Sequence, residues 1–245
     1  MGKNRRIVID FFRKSGMMPL VSRISNARYY LLKRRFASKG LNPLDAVYDD
    51  NFFEEINLVD KKTNSSKIVA EYITREFSPK SAIDVGCGTG VYLKKLQDLG
   101  VNVLGIDGSR KALKYTELAP QKILIKDVTK PFFLGMKFDI VLCFEVAEHI
   151  LPKYSKILVK NLTIHGDIIL FTAAPPNQGG TDHINEKPKE YWIKLFREEG
   201  FIYDAKVTEK MKEFLKGKKC IWWIPKNIFV FRKQPSDRTP ASSCI

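Results

Sequence analysis

From residue 81 onward, short apolar runs alternate with segments of helical spacing, and this alternation restricts the fold more than any other feature. Apolar strands separated by helices are typical of a parallel sheet that is covered on both faces. The predicted strands are Ala82–Val85, Val101–Ile106, Ile123–Ile125, Phe138–Phe144, Asp167–Thr172, Phe201–Val207 and Asn227–Phe231. The helices predicted between them are Tyr92–Leu99, Arg110–Leu118, Lys153–Leu162 and Glu190–Glu199. The sequence thus predicts an α/β fold, a doubly wound, mostly parallel sheet of seven strands.

The first predicted strand runs into a turn with three glycines at alternate positions. Residues 82–90 read Ala-Ile-Asp-Val-Gly-Cys-Gly-Thr-Gly, with an acid at Asp84. Glycine has no Cβ and tolerates positive φ, so backbone at such a turn can approach a nucleotide-like ligand closely. A dinucleotide-binding turn would need a small residue at position 91, where Val91 stands. A glycine-rich loop without a ligand is the alternative.

Two further acids follow the next two predicted strands. Asp107 ends the second strand and Asp127 follows the third. In open α/β sheets, ligands bind beyond the carboxyl ends of the strands. Both acids therefore belong to the same candidate site as the glycine turn. As alternatives, Asp107 caps the following helix and Asp127 is a simple loop acid.

The spacing Asp84-x-Gly-x-Gly-x-Gly resembles motif I of the class I S-adenosylmethionine (AdoMet)-dependent methyltransferases. The resemblance implies a seven-stranded sheet whose last strand is antiparallel, with AdoMet as cofactor. It also implies that Asp107 accepts from the ribose hydroxyls and Asp127 from the adenine amino group. The cofactor-binding residues expected on this basis are Asp84, Gly86, Cys87, Gly88, Gly90, Asp107, Gly108, Asp127, Val128, Phe144 and Glu145.

Candidate catalytic residues follow the fourth and fifth predicted strands. Glu145, Glu148 and His149 are spaced i, i+3 and i+4, so they would share one face if a helix begins there. His183 lies in a glycine-containing loop after the fifth strand. We predict His183, His149 and Glu145 as catalytic residues, since a hydroxyl acceptor needs a group that removes its proton. An ordinary surface histidine is the alternative for His183.

The same residues raise the question of a metal. A Glu-x-x-Glu-His segment with a later histidine is similar to methyltransferases of quinone precursors and to the Hen1-like RNA 2′-O-methyltransferases. The latter resemblance would make Glu145, Glu148, His149 and His183 ligands of a divalent ion that activates the hydroxyl. Glu-His also occurs at this place in methyltransferases without metal. We therefore predict no metal and keep this ligand set as the minority alternative.

The function predicted from these residues is AdoMet-dependent O-methylation of a carbohydrate-like or other small molecule. The segment from Gly179 to Asn185, followed by Tyr191-Trp192, resembles methyltransferases linked with sugar modification. The alternatives are an RNA 2′-O-methyltransferase and, less favoured, a non-catalytic scaffold with this fold. A small-molecule or glycan acceptor is the expected partner.

Charge and cysteine usage complete the prediction. The chain has a net charge of +15, and the first 40 residues hold eleven basic residues against one acid. Such an arm would attract RNA or an anionic membrane surface, or serve only as a solvated extension. None of the four cysteines forms a C-x-x-C pair, which favours a reducing, cytoplasmic location. We predict a basic, aromatic-containing arm over 1–40 with a helix near Asn26–Ser38, a methyltransferase domain over 41–233 and a disordered tail over 234–245.

Overall fold

The computed structural model describes residues 31, 42, 44–180 and 182–235. Apart from Leu31 and residues 234–235, the predicted arm and tail lie outside the described residues, as does Thr181. The helices are α1 (Leu44–Val47), α2 (Asp50–Thr63), α3 (Ser65–Phe77), α4 (Val91–Asp98), α5 (Ala112–Tyr115), α6 (Ser155–Thr163), α7 (Lys189–Glu198), α8 (Ala205–Leu215) and α9 (Trp223–Asn227). The strands are β1 (Ser81–Val85), β2 (Asn102–Asp107), β3 (Ile123–Ile125), β4 (Ile140–Cys143), β5 (Ile168–Thr172), β6 (Phe201–Tyr203) and β7 (Ile228–Lys233).

The strands form one sheet in the order β3-β2-β1-β4-β5-β7-β6. Strands β1 to β5 pair in parallel, whereas β7 is antiparallel to both β5 and β6. The predicted fold class is confirmed, and so is the antiparallel last strand that the resemblance implied. Because strand order reverses between β1 and β4, the crevice for a ligand is expected beyond their carboxyl ends.

Helices cover both faces of the sheet, and successive strand residues point to opposite faces. Ile83 and Val85 pack on one face with α6 and α7, while Ala82 packs on the other with α3, α4 and α8. Trp192 of α7 and Tyr72 of α3 are among the largest fully buried side chains. Burying a large apolar side chain contributes about 1.5–3 kcal/mol, so these two layers hold the strand ends in fixed positions.

The apolar spacing of Ile68, Val69, Tyr72, Ile73 and Phe77 indicates a helix over Asp60–Phe77, and the structure breaks it in two. Asn64 adopts a left-handed backbone conformation (φ 51°) and ends α2, and α3 starts at Ser65. The side chain of Asn64 makes no capping hydrogen bond. Instead the carboxylate of Asp60 accepts hydrogen bonds from the backbone N–H and the hydroxyl of Ser66 (2.8 and 2.5 Å). The last turn of α2 thus caps α3.

The strand predicted over Phe201–Val207 is wrong in its second half. β6 ends at Tyr203, and α8 begins at Ala205 because the side chain of Asp204 accepts from the backbone N–H of Val207 (3.0 Å). Val207, Met211 and Leu215 then have helical spacing and pack on the sheet. Residues 110–118 give only the short α5, because Thr116 turns to an extended conformation. Among the described residues, no helix is long and apolar enough to cross a bilayer.

Candidate active site

The carboxyl ends of β1, β2 and β3 carry the residues predicted to hold a cofactor. Asp84 pairs with Gly105 on one side and Leu142 on the other, and Asp107 pairs with Ile125. The strands are parallel, so the segments that follow them emerge at the same edge of the sheet. We call the turn at residues 84–90 together with Asp107 and Asp127 the cofactor edge.

The glycine turn has the backbone conformation that requires glycine. Gly86, Gly88 and Gly90 have φ values of 85°, 54° and 75°, which residues with a Cβ adopt at a cost. The N–H groups of Gly86 and Cys87 both donate to the Ile106 carbonyl (2.7 and 2.9 Å). Gly90 is the residue before α4. The turn is therefore fastened to β2 and leads into the N-terminus of a helix.

Asp107 links β2 to this turn. Its Oδ2 accepts from the backbone N–H of Gly88 (2.8 Å), and its Oδ1 accepts from the backbone N–H of Ser109 (2.8 Å). Burial raises the pKa of Asp107, although these two N–H groups act in the opposite direction. The Ser109 contact is not the helix cap considered as an alternative, because α5 begins at Ala112 and its N-cap residue is Lys111. Each carboxylate oxygen has a second lone pair, so these contacts do not prevent Asp107 from accepting from a ligand.

Asp84 lies beneath the turn, with only 1% of its surface exposed. Its Oδ1 is buried without a hydrogen-bond partner. Burial, and to a smaller extent the charge of Asp107, raises the pKa of Asp84 to about 7. A buried carboxylate oxygen without a donor is costly, so a cationic or N–H-bearing group at this edge would be favourable.

Asp127 is oriented largely toward its own loop. Its Oδ1 accepts from the backbone N–H and the hydroxyl of Thr129 (3.0 and 2.5 Å), and its Oδ2 lies 3.9 Å from the ammonium of Lys130. The side chain of the next residue, Val128, packs against the core, and its carbonyl accepts from Asn161. These contacts are those expected of a simple loop acid, which was the alternative role of Asp127. Its Oδ2 still has lone pairs that can accept a hydrogen bond from a ligand.

Helices α1 and α2 lie against the cofactor edge, which the sequence analysis did not predict. The hydroxyl of Thr89 donates to Asn57 Oδ1 (2.7 Å), and Asn57 Nδ2 donates to the Tyr115 carbonyl (2.8 Å). Asn42 Nδ2 donates to the carbonyl of Gly108 (2.6 Å), and Asp45 accepts from the Ser109 hydroxyl (2.5 Å). The apolar spacing of Phe52, Phe53 and Ile56 would have indicated α2.

Phe144 and Glu145 follow β4, next to the turn. Phe144 is buried and contacts the ring of Tyr92 edge to face, with centroids 4.9 Å apart. Glu145 has a left-handed backbone (φ 55°), which is uncommon for a residue with a side chain. Its N–H donates to Thr172 Oγ1 (2.8 Å), and its Oε1 accepts from Asn227 (3.4 Å). The helix that would have begun at Glu145 is therefore only a 3₁₀ turn, Ala147–His149.

A distant loop brings His183 beside His149. The carbonyl of Glu148 accepts from the N–H groups of Ile184 and Asn185 (2.8 and 3.0 Å). Asn185 Nδ2 also donates to the Ala147 carbonyl (3.2 Å) and to Ser155 Oγ (3.0 Å). The two imidazole rings consequently meet edge to face, with centroids 5.0 Å apart. Sequence reasoning missed Asn185, which anchors this loop.

Glu148, His149 and His183 form what we call the histidine cluster. Each offers one ligand atom, and these atoms all lie within 4.8 Å of one another. Glu145 is outside this group, so the predicted set of four is only partly brought together. Glu148 Oε2 and His149 Nδ1 are buried without hydrogen-bond partners. Two unpartnered polar atoms side by side indicate a place for a polar ligand group.

Burial controls the protonation of this cluster. It raises the pKa of Glu148 well above its usual range, with the charge of Glu145 adding to the effect. Burial, and to a smaller extent the neighbouring His183, lowers the pKa of His149 to about 3. Near neutral pH, His149 is therefore an uncharged imidazole. His165 is not part of the cluster and is buried between the Asn161 carbonyl and the N–H of Leu134.

The residues of the cofactor edge fit AdoMet. Its sulfonium and ammonium are cations, and the acids near the turn are Asp84 and Glu148, which are buried, and Glu145, which is half-buried. Its ribose needs an acceptor of two hydrogen bonds, a role that Asp107 has the lone pairs to fill. A Cβ on Gly86 would lie 2.9 Å from Val146 Cγ1, which shows how closely the two segments approach at this edge.

Comparison with known proteins finds methyltransferases. Residues 83–163 match the family model described as "Methyltransferase domain". The chain is 26% identical over 162 residues to the ubiquinone biosynthesis O-methyltransferase of Glaesserella parasuis serovar 5, covering 61% of this chain and 65% of that protein. The chain thus spans less than two thirds of the length of this curated relative. The match supports AdoMet as the cofactor.

Two solved structures share the fold. DesVI of Streptomyces venezuelae has a TM-score of 0.58 at 13% identity, covering 76% of this chain and 98% of that one. The amino pentose methyltransferase CalS10 of Micromonospora echinaspora, solved with bound SAM, has a TM-score of 0.55 at 16% identity, covering 74% of this chain and 96% of that one. At these identities the likeness establishes the fold.

Proposed function

We propose that this chain, which belongs to the class I AdoMet-dependent methyltransferase superfamily, methylates a hydroxyl group of a carbohydrate-like or other small molecule. The observation that carries the proposal is the histidine cluster next to the cofactor edge. It joins an imidazole held by a carboxylate, His183 with Glu186 (2.9 Å), to an uncharged imidazole, His149. An imidazole held on one nitrogen by a carboxylate, as His183 is, can take the proton of a hydroxyl on its other nitrogen as the oxygen attacks.

In the proposed mechanism, the protein mainly positions its two substrates. Bound AdoMet supplies an electrophilic methyl group on a sulfonium sulfur. Asp107 and the glycine turn hold the nucleoside part, and Asp84 and Glu145 stabilise the positive charges. His183, with His149 beside it, receives the acceptor's proton. Alignment at near-attack distance supplies much of the rate enhancement in such displacements.

The acceptor class is supported by chemistry and by two relatives. The Glaesserella relative is named as an O-methyltransferase of ubiquinone biosynthesis, and CalS10 is described as an amino pentose methyltransferase. Both names describe small acceptors. The cluster also lies between α1 and the loop before α7, with Tyr48 edge-on to His149 at 6.1 Å between centroids. An aromatic ring beside a polar cluster suits an acceptor that has both apolar and hydroxyl parts.

A divalent ion is the alternative means of activating the hydroxyl. One carboxylate and two imidazoles, as in Glu148, His149 and His183, are a plausible ligand set for several transition metals. The buried, unpartnered Glu148 Oε2 and His149 Nδ1 favour this alternative. An ion there would lower the pKa of the acceptor hydroxyl and orient it. The metal-free mechanism remains our proposal, and chelation distinguishes the two.

The test is a transfer assay with tritiated AdoMet against pools of small hydroxyl compounds, glycans and RNA. We expect label in a small-molecule or glycan fraction, unchanged after dialysis against a chelator. Activity lost on chelation and restored by one divalent ion would support the metal alternative. Label only in RNA, with binding that weakens steeply as salt is added, would support the RNA alternative. Binding of AdoMet without transfer to any pool would contradict the proposed activity.

A further inference from the structure

Glu186 is a carboxylate that the sequence motifs do not include and to which the proposed mechanism gives no role beyond its contact with His183. Its Oε1 accepts from the backbone N–H of Gly179 (2.6 Å) and contacts His183 Nδ1 (2.9 Å). Its Oε2 accepts from the backbone N–H of Asn177 (2.8 Å). Both side chains are largely enclosed, with 12% of His183 and 15% of Glu186 exposed. Charge-assisted hydrogen bonds of this kind are stronger than neutral ones.

This contact determines which nitrogen of His183 carries the proton. An ionised carboxylate has no proton to give, so the short contact requires a proton on Nδ1. In the neutral ring, Nε2 then has a free lone pair and is the basic nitrogen. The neighbouring His149 has no such partner, since its Nδ1 is unpartnered and its other contact is with the backbone of Asp182. Of the two imidazoles, His183 is therefore the oriented one.

Gly180 provides the space that this ring orientation needs. A Cβ on Gly180 would lie 2.5 and 2.7 Å from Cε1 and Cδ2 of His183, and closer still to Nε2. Because Cε1 and Cδ2 would be nearly as close to this Cβ as Nε2 is, the Cβ position lies over the face of the imidazole ring. A point along the in-plane lone pair would be much closer to the nitrogen than to either carbon. Gly180 therefore packs on the ring face and leaves the lone pair of Nε2 free.

The loop that carries both side chains is fixed on its other side as well. The N–H groups of Ile184 and Asn185 donate to the Glu148 carbonyl, and Asn185 Nδ2 donates to Ser155 Oγ. Glu186 thus holds the segment before His183, while Asn185 holds the segment after it. The imidazole has little freedom to rotate away from His149.

We propose that Glu186 is the positioning residue for His183, fixing the tautomer whose Nε2 accepts the proton of the methyl acceptor. The inference rests on the proposed function, because it assigns a role within that reaction. As the acceptor oxygen attacks, its new bond to the methyl carbon would form while the carbon–sulfur bond of AdoMet breaks, and that electron pair would stay on the sulfur of the S-adenosylhomocysteine that leaves. The proton of the acceptor oxygen passes to Nε2. The ring then carries one positive charge, which the Glu186 carboxylate stabilises. Carboxylates that orient a catalytic histidine act in this way in other enzymes.

The test compares Glu186→Gln with wild type in the full-length chain. Glutamine has the same shape as glutamate, but an NH₂ group replaces one carboxylate oxygen. In one orientation this group opposes a backbone N–H donor. In the other it donates to His183 Nδ1, and the ring proton then moves to Nε2. We expect kcat to fall at least about tenfold while the Kd for AdoMet stays the same. The exposed Glu190 supplies the matched control, because Glu190→Gln removes a carboxylate without touching the loop. It should have wild-type kcat.

Nitrogen NMR of histidine-labelled protein separates orientation from a merely structural role. The chain has three histidines, and the His183→Ala spectrum identifies the His183 signals. We expect a protonated Nδ1 and an unprotonated Nε2 in wild type, and loss of this pattern in Glu186→Gln. A wild-type ring protonated on Nε2 would overturn the proposal. So would an unchanged kcat in Glu186→Gln, or a lower kcat with the His183 signals unaltered.

Gly180→Ala is a second test variant, and adding His183→Ala should restore its stability. The added methyl must displace the His183 ring, so both kcat and the thermal midpoint of unfolding should fall. Adding His183→Ala removes the overlap, and the midpoint of the double variant should recover although its activity does not. If the double variant unfolds as early as Gly180→Ala, Gly180 does not serve the ring. Absence of transfer in wild type would instead contradict the proposed function, and the tautomer measurement would still decide whether Glu186 orients His183.

Discussion

The cofactor edge and the histidine cluster lie side by side but are built in different ways. The cofactor edge is made of residues that directly end or follow strands, and neighbouring strands hold them, as when Gly88 donates to Asp107. The histidine cluster joins the turn at Ala147–His149 to a loop more than thirty residues later through Asn185, while Glu186 holds His183 within that loop. The first can be recognised from local spacing, whereas the second exists only in the folded chain. Binding of AdoMet and turnover should therefore be separable by mutation.

The largest expected effect is on turnover. His183→Ala should lower kcat by about 100- to 10,000-fold, the usual contribution of a general base, because the acceptor proton loses its recipient. The Kd for AdoMet should not change, because His183 belongs to the histidine cluster. Initial rates and calorimetric titration measure the two quantities, with Glu190→Ala as an exposed control. An unchanged kcat would remove His183 from the chemistry.

The next largest effect is on cofactor affinity. Asp107→Ala should raise the Kd for AdoMet at least about 100-fold, since two hydrogen bonds to a charged acceptor are lost. Asp107→Asn keeps one acceptor oxygen, which can serve the N–H group of Gly88 or that of Ser109 but not both. Comparing the Kd and the thermal midpoint of the two variants therefore separates ligand binding from the fold of the turn. Affinity close to that of wild type in the alanine variant would contradict the ribose assignment.

Asp84 should show opposite effects on affinity and on stability. Its pKa of about 7 in the folded chain lies above the ordinary value of 3.8. Between these two pH values the unfolded chain has lost this proton and the folded chain still holds it. The Asp84 carboxyl therefore stabilises the fold fully only below pH 4, and this contribution is lost as pH rises toward 7.

Asp84→Asn removes this titration. Relative to wild type, its free energy of unfolding should rise with pH between 4 and 7, by up to about 1.4 kcal/mol per pH unit. Its Kd for AdoMet should increase about tenfold, because a charge-assisted interaction contributes about 1.5–3 kcal/mol. Urea unfolding at several pH values measures the first quantity and calorimetry the second. A constant stability difference across this range would refute the raised pKa.

The smallest expected effect concerns α2. Asn57→Ala removes hydrogen bonds to Thr89 and to the Tyr115 carbonyl, so the Kd for AdoMet should rise by about five- to tenfold, as expected for one or two neutral hydrogen bonds. Asn102→Ala is the control, since it removes a surface hydrogen bond to Lys122 away from the turn. Equal affinities in the two variants would show that α2 does not support the cofactor edge.

The difference between the cofactor edge and the histidine cluster also decides how much of the structure could be predicted from the sequence. The sheet, the glycine turn and the acids at strand ends were predictable, because each depends on residues close in sequence. The first three residues of α8, 205–207, were mistaken for strand because they follow the apolar run Phe201–Tyr203, and the capping by Asp204 was overlooked. The short 3₁₀ turn in place of a helix at Glu145 depends on Thr172, which lies on another strand.

There is a physical reason why the residues that support the site could not be predicted from the sequence. Asn57, Asn185 and Glu186 are ordinary polar residues in sequence, and their partners are backbone groups or side chains brought close by folding. Asp127 illustrates the converse, since its Oδ1 is satisfied locally by Thr129. Spacing indicates which residues emerge at an edge of the sheet. It does not indicate toward which neighbour each side chain turns.

The most direct test of the account is calorimetric titration of AdoMet into wild type, Asp107→Ala and His183→Ala under one set of conditions. The account predicts one site per chain in wild type, the same Kd in His183→Ala and no measurable binding in Asp107→Ala. Absence of binding in wild type, or equal weakening in both variants, would contradict the division of the site into a cofactor edge and a histidine cluster.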